Sequence, residues 1–419
     1  MFNAILSLVF LAAAIAVGTI FKKNTGIVSI ALALILARIT GISDSELIKT
    51  FNSSLFIMLL GVMFLFCIAQ DNHTLEIIAR KSIRLCKGKV KLIPILLFVL
   101  SAIISAIGPG LISTTALISV LAIAIAIESG VEPIKFLLFG ALGAFSGGLS
   151  PITPSGIVAI TISKESGIVG VDLPIALLMF LVMLFMAIIL YFFVFKWHKY
   201  KESENSISNI DCDSKFKLAN WFTIIGIVLV AVISTVFSVN VGLISFVVAV
   251  ILSICGFADE GKAMQKISWN TLIMITGVGI LISLVTKLGG IDLLSDGISL
   301  LMGEKTASAI ITVLAGVMSW VSSASGVVMP TLIPTVPELV MTVGNIDPIA
   351  MVTGICIGAN VAAFSPLSSC GGLMLAAYST SKVATAEGRN KLFGQLFLFS
   401  CCCIAVSALL ALVGCFNIF

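Results

Sequence analysis

SPITPSG at residues 150–156 and SPLSSCG at residues 365–371 share one pattern, Ser-Pro-apolar-Ser/Thr-x-x-Gly, and lie 215 positions apart. Each interrupts a long apolar segment with proline, hydroxyls and glycine. Each also follows a second soft spot upstream: SAIGPG at 105–110 and SSASG at 322–326, 217 positions apart. Four backbone breaks at matching places in two halves predict a transporter built from repeats, with its site at the breaks.

Composition sets the solvent. The chain has 419 residues, 59% hydrophobic and 11% charged, with a mean hydropathy of +1.21. That is a polytopic helical membrane protein, with loops too short to hold a second domain. The first apolar run has no basic stretch before it, and its small residues Ala12–Ala14 fall inside the run. It therefore reads as a retained helix and not a cleaved signal. The ten cysteines show no metal-ligand spacing and read as small packing residues.

Apolar runs predict helices near 2–20, 26–42 and 52–70. A basic amphipathic stretch, 71–91, suits a helix lying at the membrane surface. Two arms, 92–107 and 111–127, meet at a Gly-Pro-Gly tip. Each is shorter than the roughly 20 residues needed to span, so the pair reads as a re-entrant hairpin. Segment 134–163 is a helix broken at 146–156, and 173–196 is an unbroken span. The second half repeats this order: helices near 220–238, 240–257 and 269–287, an amphipathic stretch at 288–305, a hairpin at 306–343, a broken helix at 348–380 and a last span at 391–418. LFIMLLGV at 55–62 resembles LIMITGV at 272–278. The expected division is a first repeat at 1–200, a cytoplasmic linker at 201–219 that overlaps the polar stretch 196–217, and a second repeat at 220–419.

Each half crosses five times if its hairpin does not cross. Five is odd, so the two repeats must have inverted topology. With both termini outside, 19 of the 24 Lys and Arg fall in cytoplasmic loops, a bias that supports this orientation in a cell (inner) membrane. The fold class expected is thus an all-α polytopic membrane protein of two inverted repeats, each with a re-entrant hairpin and a broken helix.

Broken helices leave free N–H and C=O groups at membrane depth, tolerated only where they line a cavity or are buried in protein. Free N–H ends with hydroxyl donors suit a carboxylate; free carbonyls and hydroxyl oxygens suit a small hard cation. The substrate set read this way is Ser105, Gly108, Pro109, Gly110, Thr153, Pro154, Ser323, Ser325, Ser368 and Ser369. The cation set is Ser150, Ser155, Gly156, Ser322, Gly326, Asn360, Ser365 and Gly371. No Asp, Glu, Lys or His sits near the middle of any predicted span, which argues against a buried proton relay. An anion there must be held by dipoles and a co-bound cation. Sodium fits that combination, with no other metal and no organic cofactor. The partners expected are a small anion, sodium and the lipid bilayer, and no nucleic acid. An intramembrane enzyme would need buried Asp pairs, a Ser/His couple or metal ligands at depth, which the sequence lacks.

Gly61-Val62, Leu65-Phe66, Ala69-Gln70, Asn72 and Thr74-Leu75, followed by Gly108-Pro109-Gly110 and Ser150-Pro151, resemble the N-terminal region of MatC-type malonate/dicarboxylate carriers, over about residues 50–160. The wider architecture resembles the ion transporter superfamily, including the divalent anion/sodium symporters, over nearly the whole chain. The resemblance implies an elevator mechanism, a homodimer, and a scaffold domain carrying a transport domain of hairpins and broken helices. In those symporters each hairpin tip carries Ser-Asn-Thr; here the tips read Ile-Gly-Pro-Gly and Ser-Ala-Ser-Gly. The function expected is sodium-coupled uptake of a C4-dicarboxylate or malonate. A carrier of another anion, a cation antiporter and a passive anion channel are the alternatives.

Overall fold

The computed structural model describes residues 1–83, 89–197, 216–237, 239–344, 346–381 and 383–418. The linker expected at 201–219 lies outside them up to residue 215, as do residues 84–88 of the basic amphipathic stretch. Among the described residues every regular element is helical. Eight helical runs are long and apolar enough to cross a membrane, by length and composition.

The first half contains α1 (Phe2–Ile20), α2 (Thr25–Thr40), a short α3 (Asp44–Lys49), α4 (Ser53–Asp71) and the amphipathic α5 (Thr74–Ile83). The hairpin arms follow as α6 (Ile93–Ala106) and α7 (Gly110–Ser129). The broken helix is α8 (Pro133–Gly147) and α9 (Pro154–Glu165), and α10 (Asp172–Ile189) closes the half. The second half runs α11 (Leu218–Val236), α12 (Val241–Ile254), α13 (Glu260–Lys266), α14 (Trp269–Lys287) and α15 (Gly290–Ser299). Its hairpin is α16 (Ala307–Val321) and a proline-rich return through α17 (Met329–Leu332) and α18 (Val336–Val343). The second broken helix is α19 (Pro348–Val361) and α20 (Ser369–Ser379), and α21 (Ala386–Leu412) ends the chain. The return arm of the first hairpin is three residues longer than the apolar run 111–127 suggests, because Gly110 starts the helix and Ser129 ends it.

Packing makes the repeat visible. Helix α4 crosses α12, and α14 crosses α2: the fourth helix of each half packs on the second helix of the other. Within each half the outgoing hairpin arm lies along the first part of the broken helix, α6 on α8 and α16 on α19. The crossings are glycine contacts. A Cβ on Gly61 would overlap the carbonyl of Gly242, and a Cβ on Gly277 would overlap that of Gly26. Small residues let membrane helices approach at backbone distance, where dispersion and weak polar contacts replace the hydrophobic effect. The second helix of each half also starts alike. Asn24 accepts from Gly26 N–H at 2.8 Å, and Asn240 accepts from Gly242 N–H at 2.9 Å. Both are N-caps that satisfy orphan amides of the first turn. Beyond the crossings the two broken helices meet at Phe145 and Phe364, whose rings stack at 4.1 Å.

Polar pairs at the helix ends define two faces. Lys266–Asp71, Asn24–Asn270 and Lys391–Glu132 join ends on one face. Lys287–Glu46 and Asn52–Glu165 join ends on the other. The Lys287 ammonium holds the Glu46 carboxyl below the usual carboxylate range. The base of the first hairpin, at Glu132, sits on the first face. The base of the second, where α18 packs on α15, sits on the opposite one. The hairpins enter from opposite sides, which is the inverted arrangement. At the joint between α4 and α5, Asn72 Nδ2 donates to Thr223 Oγ1 at 2.7 Å, and Asn220 Nδ2 donates to the Asn72 carbonyl at 2.8 Å. Asn72, one of the residues behind the resemblance, thus ties the amphipathic helix to the first helix of the other half.

Candidate functional site

The first hairpin tip is forced by its glycines. Gly108 has φ +140° and Gly110 φ +70°, backbone that L side chains rarely adopt. Gly108 is pressed against the Phe66 ring of α4, and Gly110 faces Pro154 Cδ at the start of α9. The second tip sits the same way: Gly326 abuts Met274 of α14.

The broken helices satisfy much of their freed backbone with their own side chains. Thr153 Oγ1 donates to the carbonyls of Gly148 (2.8 Å) and Ser150 (2.7 Å) and accepts from Gly156 N–H. At the equivalent place Ser368 Oγ donates to the carbonyls of Ala363 (2.6 Å) and Ser365 (2.7 Å). The tight turns leave no room beyond glycine at Gly156 and Gly371, where a Cβ would overlap the carbonyls of Ser150 and Ser365. Ser400, on α21, donates to the Ala362 carbonyl at 3.0 Å and accepts from Trp320 Nε1 of α16 at 2.9 Å. The last turn before the second break is therefore tied to both a hairpin arm and the final helix.

A cavity of about 360 Å³ lies between the first hairpin tip, the start of α9, the end of α4 and the start of α14. Of the residues read from the sequence it brings together Gly108, Pro109, Gly110, Pro154, Ser155 and, from the second tip, Ser325. The sequence reading missed Gln70, Ser113, Thr114, Ser268 and Thr271, which also line it. Ser268 and Thr271 pair through their hydroxyls at 2.8 Å. His73, Glu76 and Lys266 lie on the first face, so the cavity opens there.

The remaining sequence-predicted residues lie outside the cavity wall. Ser105, Thr153, Asn360 and Ser365 are fully buried. Ser322 donates to the Met318 carbonyl, and Ser323 caps the turn by accepting from Gly326 N–H. Ser365 accepts from Leu367 N–H. Ser150 is half-buried and Ser369 exposed. The second break reaches the first hairpin from behind, where α20 packs on α7.

Two helix N-termini face the cavity. Helix α7 has 20 residues and no side-chain cap, so its first N–H groups at residues 110–113, all lining the wall, have no partner within the helix. Helix α9 begins at Pro154 and Ser155, also in the wall. Each carries the positive end of a helix dipole. Thr114 Oγ1 is buried and has no hydrogen-bond partner. Among the described residues no Asp, Glu, Lys, Arg or His is buried as a whole, although Asp172 Oδ1, at the start of α10, is a buried oxygen without a hydrogen-bond partner. The wall is mostly apolar, with hydroxyls at Ser113, Thr114, Ser155, Ser268, Thr271 and Ser325 and the ionisable groups His73, Glu76 and Lys266. The family model of the CitMHS citrate transporters matches residues 10–356.

The chain belongs to the citrate transporter family.

Its fold agrees. The solved structure of the Alcanivorax borkumensis YdaH transporter, described as having an unusual topology, superposes with a TM-score of 0.62 over 98% of this chain and 98% of its own, at 13% identity. At that identity the likeness is one of fold. No curated protein sequence gives a significant match. This citrate transporter family member is a multi-pass membrane transporter of the carboxylate-anion type, and not an enzyme.

Proposed function

We propose that the chain is a secondary active carrier that couples sodium to the movement of a small di- or tricarboxylate through the cavity at the first hairpin tip. The observation that carries this reading is the uncapped N-terminus of α7 meeting the N-terminus of α9 across a hydroxyl-lined space of about 360 Å³, within the usual range for small-ligand pockets. Carboxylates accept from the N–H groups at 110–113 and from Ser113, Thr114, Ser155 and Ser325. Hydrogen bonds to a charged group contribute roughly 1.5–3 kcal/mol each. Citrate, from the family description, is the first substrate to test, followed by succinate, fumarate, malate and malonate.

Sodium would supply positive charge deep in the site, away from Lys266 in the wall. The residues fit such an ion: Ser105 Oγ and Asn360 Oδ1 are buried oxygens without hydrogen-bond partners. Ser105 is in the last turn of the first hairpin's outgoing arm and Asn360 in the last turn before the second break. The described cavity wall carries no wholly buried acid or base, which favours a hard cation over a proton as the coupling ion. Movement is of the elevator type, the hairpins and broken helices shifting as a body against the panel of crossed helices. The contacts that must slide are the tips on Phe66 and Met274. The protein acts as a homodimer in the cell membrane.

Uptake of labelled citrate and C4-dicarboxylates into proteoliposomes, with and without an inward sodium gradient, tests the reading. Concentrative uptake driven by sodium is expected. Equilibration without accumulation would identify a channel, and accumulation indifferent to sodium would remove the coupling. The basic face is proposed to be cytoplasmic. In a cysteine-free background, a cysteine at Gly167 should react with an impermeant thiol reagent in intact cells. A cysteine at Ser206 in the linker should react only after permeabilisation, and the reverse pattern would invert the topology.

A further inference from the structure

The cavity mouth holds one feature that the binding scheme above does not use. Lys266 lines it, and among the described lining residues it is the sole Lys or Arg. Its ammonium lies 2.6 Å from Asp71 Oδ1. We propose that this ion pair is exchangeable and that Lys266 is the anion-docking residue of the mouth: a carboxylate entering or leaving the cavity takes the place of Asp71 on the ammonium. The inference rests on the anionic-substrate reading and deepens it by naming a fixed cation on the path.

Four observations support it. Asp71 is the last residue of the 19-residue α4, at the negative end of its dipole, where a carboxylate is disfavoured. The pair is partly in water, with side-chain exposures of 40% and 19%, and partly exposed ion pairs are weakly held. Glu76, the acid that lines the wall, is engaged with His73 Nδ1 at 2.9 Å, while Asp71, just outside the wall, holds the Lys266 ammonium and is the competitor for it. Lys266 also leads directly to Ser268 and Thr271, whose hydroxyls line the same wall. An anion released from Lys266 therefore finds hydroxyls next, and then the helix N-termini at the tip. Charges at the rim of a site steer association and confer salt dependence.

The test uses the purified full-length protein, with citrate, succinate and malonate as probes and dissociation constants measured at fixed sodium. Lys266→Gln should weaken binding about fivefold or more. Asp71→Asn should tighten it about twofold or more, because it removes the internal competitor. The double variant should match Lys266→Gln. Raising ionic strength with choline chloride should weaken binding by the wild type and have less effect on Lys266→Gln. Lys266→Arg, which keeps the charge, should stay near the wild-type value, and this guards against a folding defect in Lys266→Gln. A purely structural pair predicts the opposite pattern: both single variants lose affinity and melting temperature alike, and the double variant recovers. That pattern, or unchanged affinity in every variant, overturns the docking role while leaving the substrate reading standing. If the wild type binds none of the three probes, both fall together.

Discussion

Gly108→Ala should abolish transport, at least tenfold in initial rate, while the protein still folds. Two effects act at one atom. Gly108 has φ +140°, a region essentially closed to other residues and costing of order 1–3 kcal/mol for a side chain held there. The new Cβ would also overlap the Phe66 ring, and Phe66 is itself nearly buried, at 8% exposure. The tip must therefore move off α4, and with it the first turn of α7 that lines the cavity. Gly110→Ala should be milder. Its φ of +70° is the ordinary left-handed region, costing about 1–2 kcal/mol, and its nearest neighbour is Pro154 Cδ at 3.2 Å. Initial rates of sodium-driven uptake, with size-exclusion profile and melting temperature as folding controls, give the ordering. Phe66→Ala in the Gly108→Ala background divides the two causes: recovery assigns the loss to the ring, and no recovery assigns it to the backbone. Wild-type transport by Gly108→Ala would mean that the tip does not shape the site.

The same residues show what a sequence can disclose here. The breaks were legible because proline and glycine act locally: Pro154 and Pro366 cannot donate, Gly108, Gly156 and Gly371 sit where nothing larger fits, and Gly110 adopts a positive φ. The repeat was legible from spacing, and one more copy of it stood in plain view. NTG at 24–26 and NVG at 240–242 are 216 positions apart and build the same N-cap and the same helix crossing. The destination of the hydroxyls was not legible. Thr153 and Ser368 read as donors aimed at a ligand, yet each donates to two carbonyls of its own break, because a break frees acceptors within a few residues and the nearest hydroxyl takes them. Nor was the cavity. Its wall joins Gln70, Thr114, Ser155 and Thr271 from four separate helices, and nothing local to any of them announces the meeting. Lys266 carried a topological meaning in the sequence, as one more positive charge in a cytoplasmic loop. Its second meaning needs Asp71, 195 residues away, beside it.

The largest stability losses should come from the glycine crossings. Gly242→Leu should leave little folded protein, and Gly26→Leu, at the equivalent place in the first half, should do the same. A Cβ at Gly242 would overlap Met58 Cα, and one at Gly26 would overlap the Ile273 carbonyl. Both obstacles are backbone, which cannot rotate aside as a side chain can. Overpacking a well-filled interior costs about 1–3 kcal/mol when neighbours can shift. With backbone on both sides the cost should exceed ~4 kcal/mol, in the range kept for core disruption. Gly279→Ala is the control. It lies on α14, two residues from Gly277, with nothing within 4 Å of a new Cβ, and alanine is the better helix former by up to about 1 kcal/mol. It should fold at least as well as the wild type. Yield of monodisperse protein and melting temperature in one detergent measure all three. If Gly242→Leu and Gly26→Leu both fold normally, the two halves are not held together at these crossings. If only one fails, the pseudo-symmetric helices carry unequal loads, and the panel that the hairpins move against is anchored at one crossing alone.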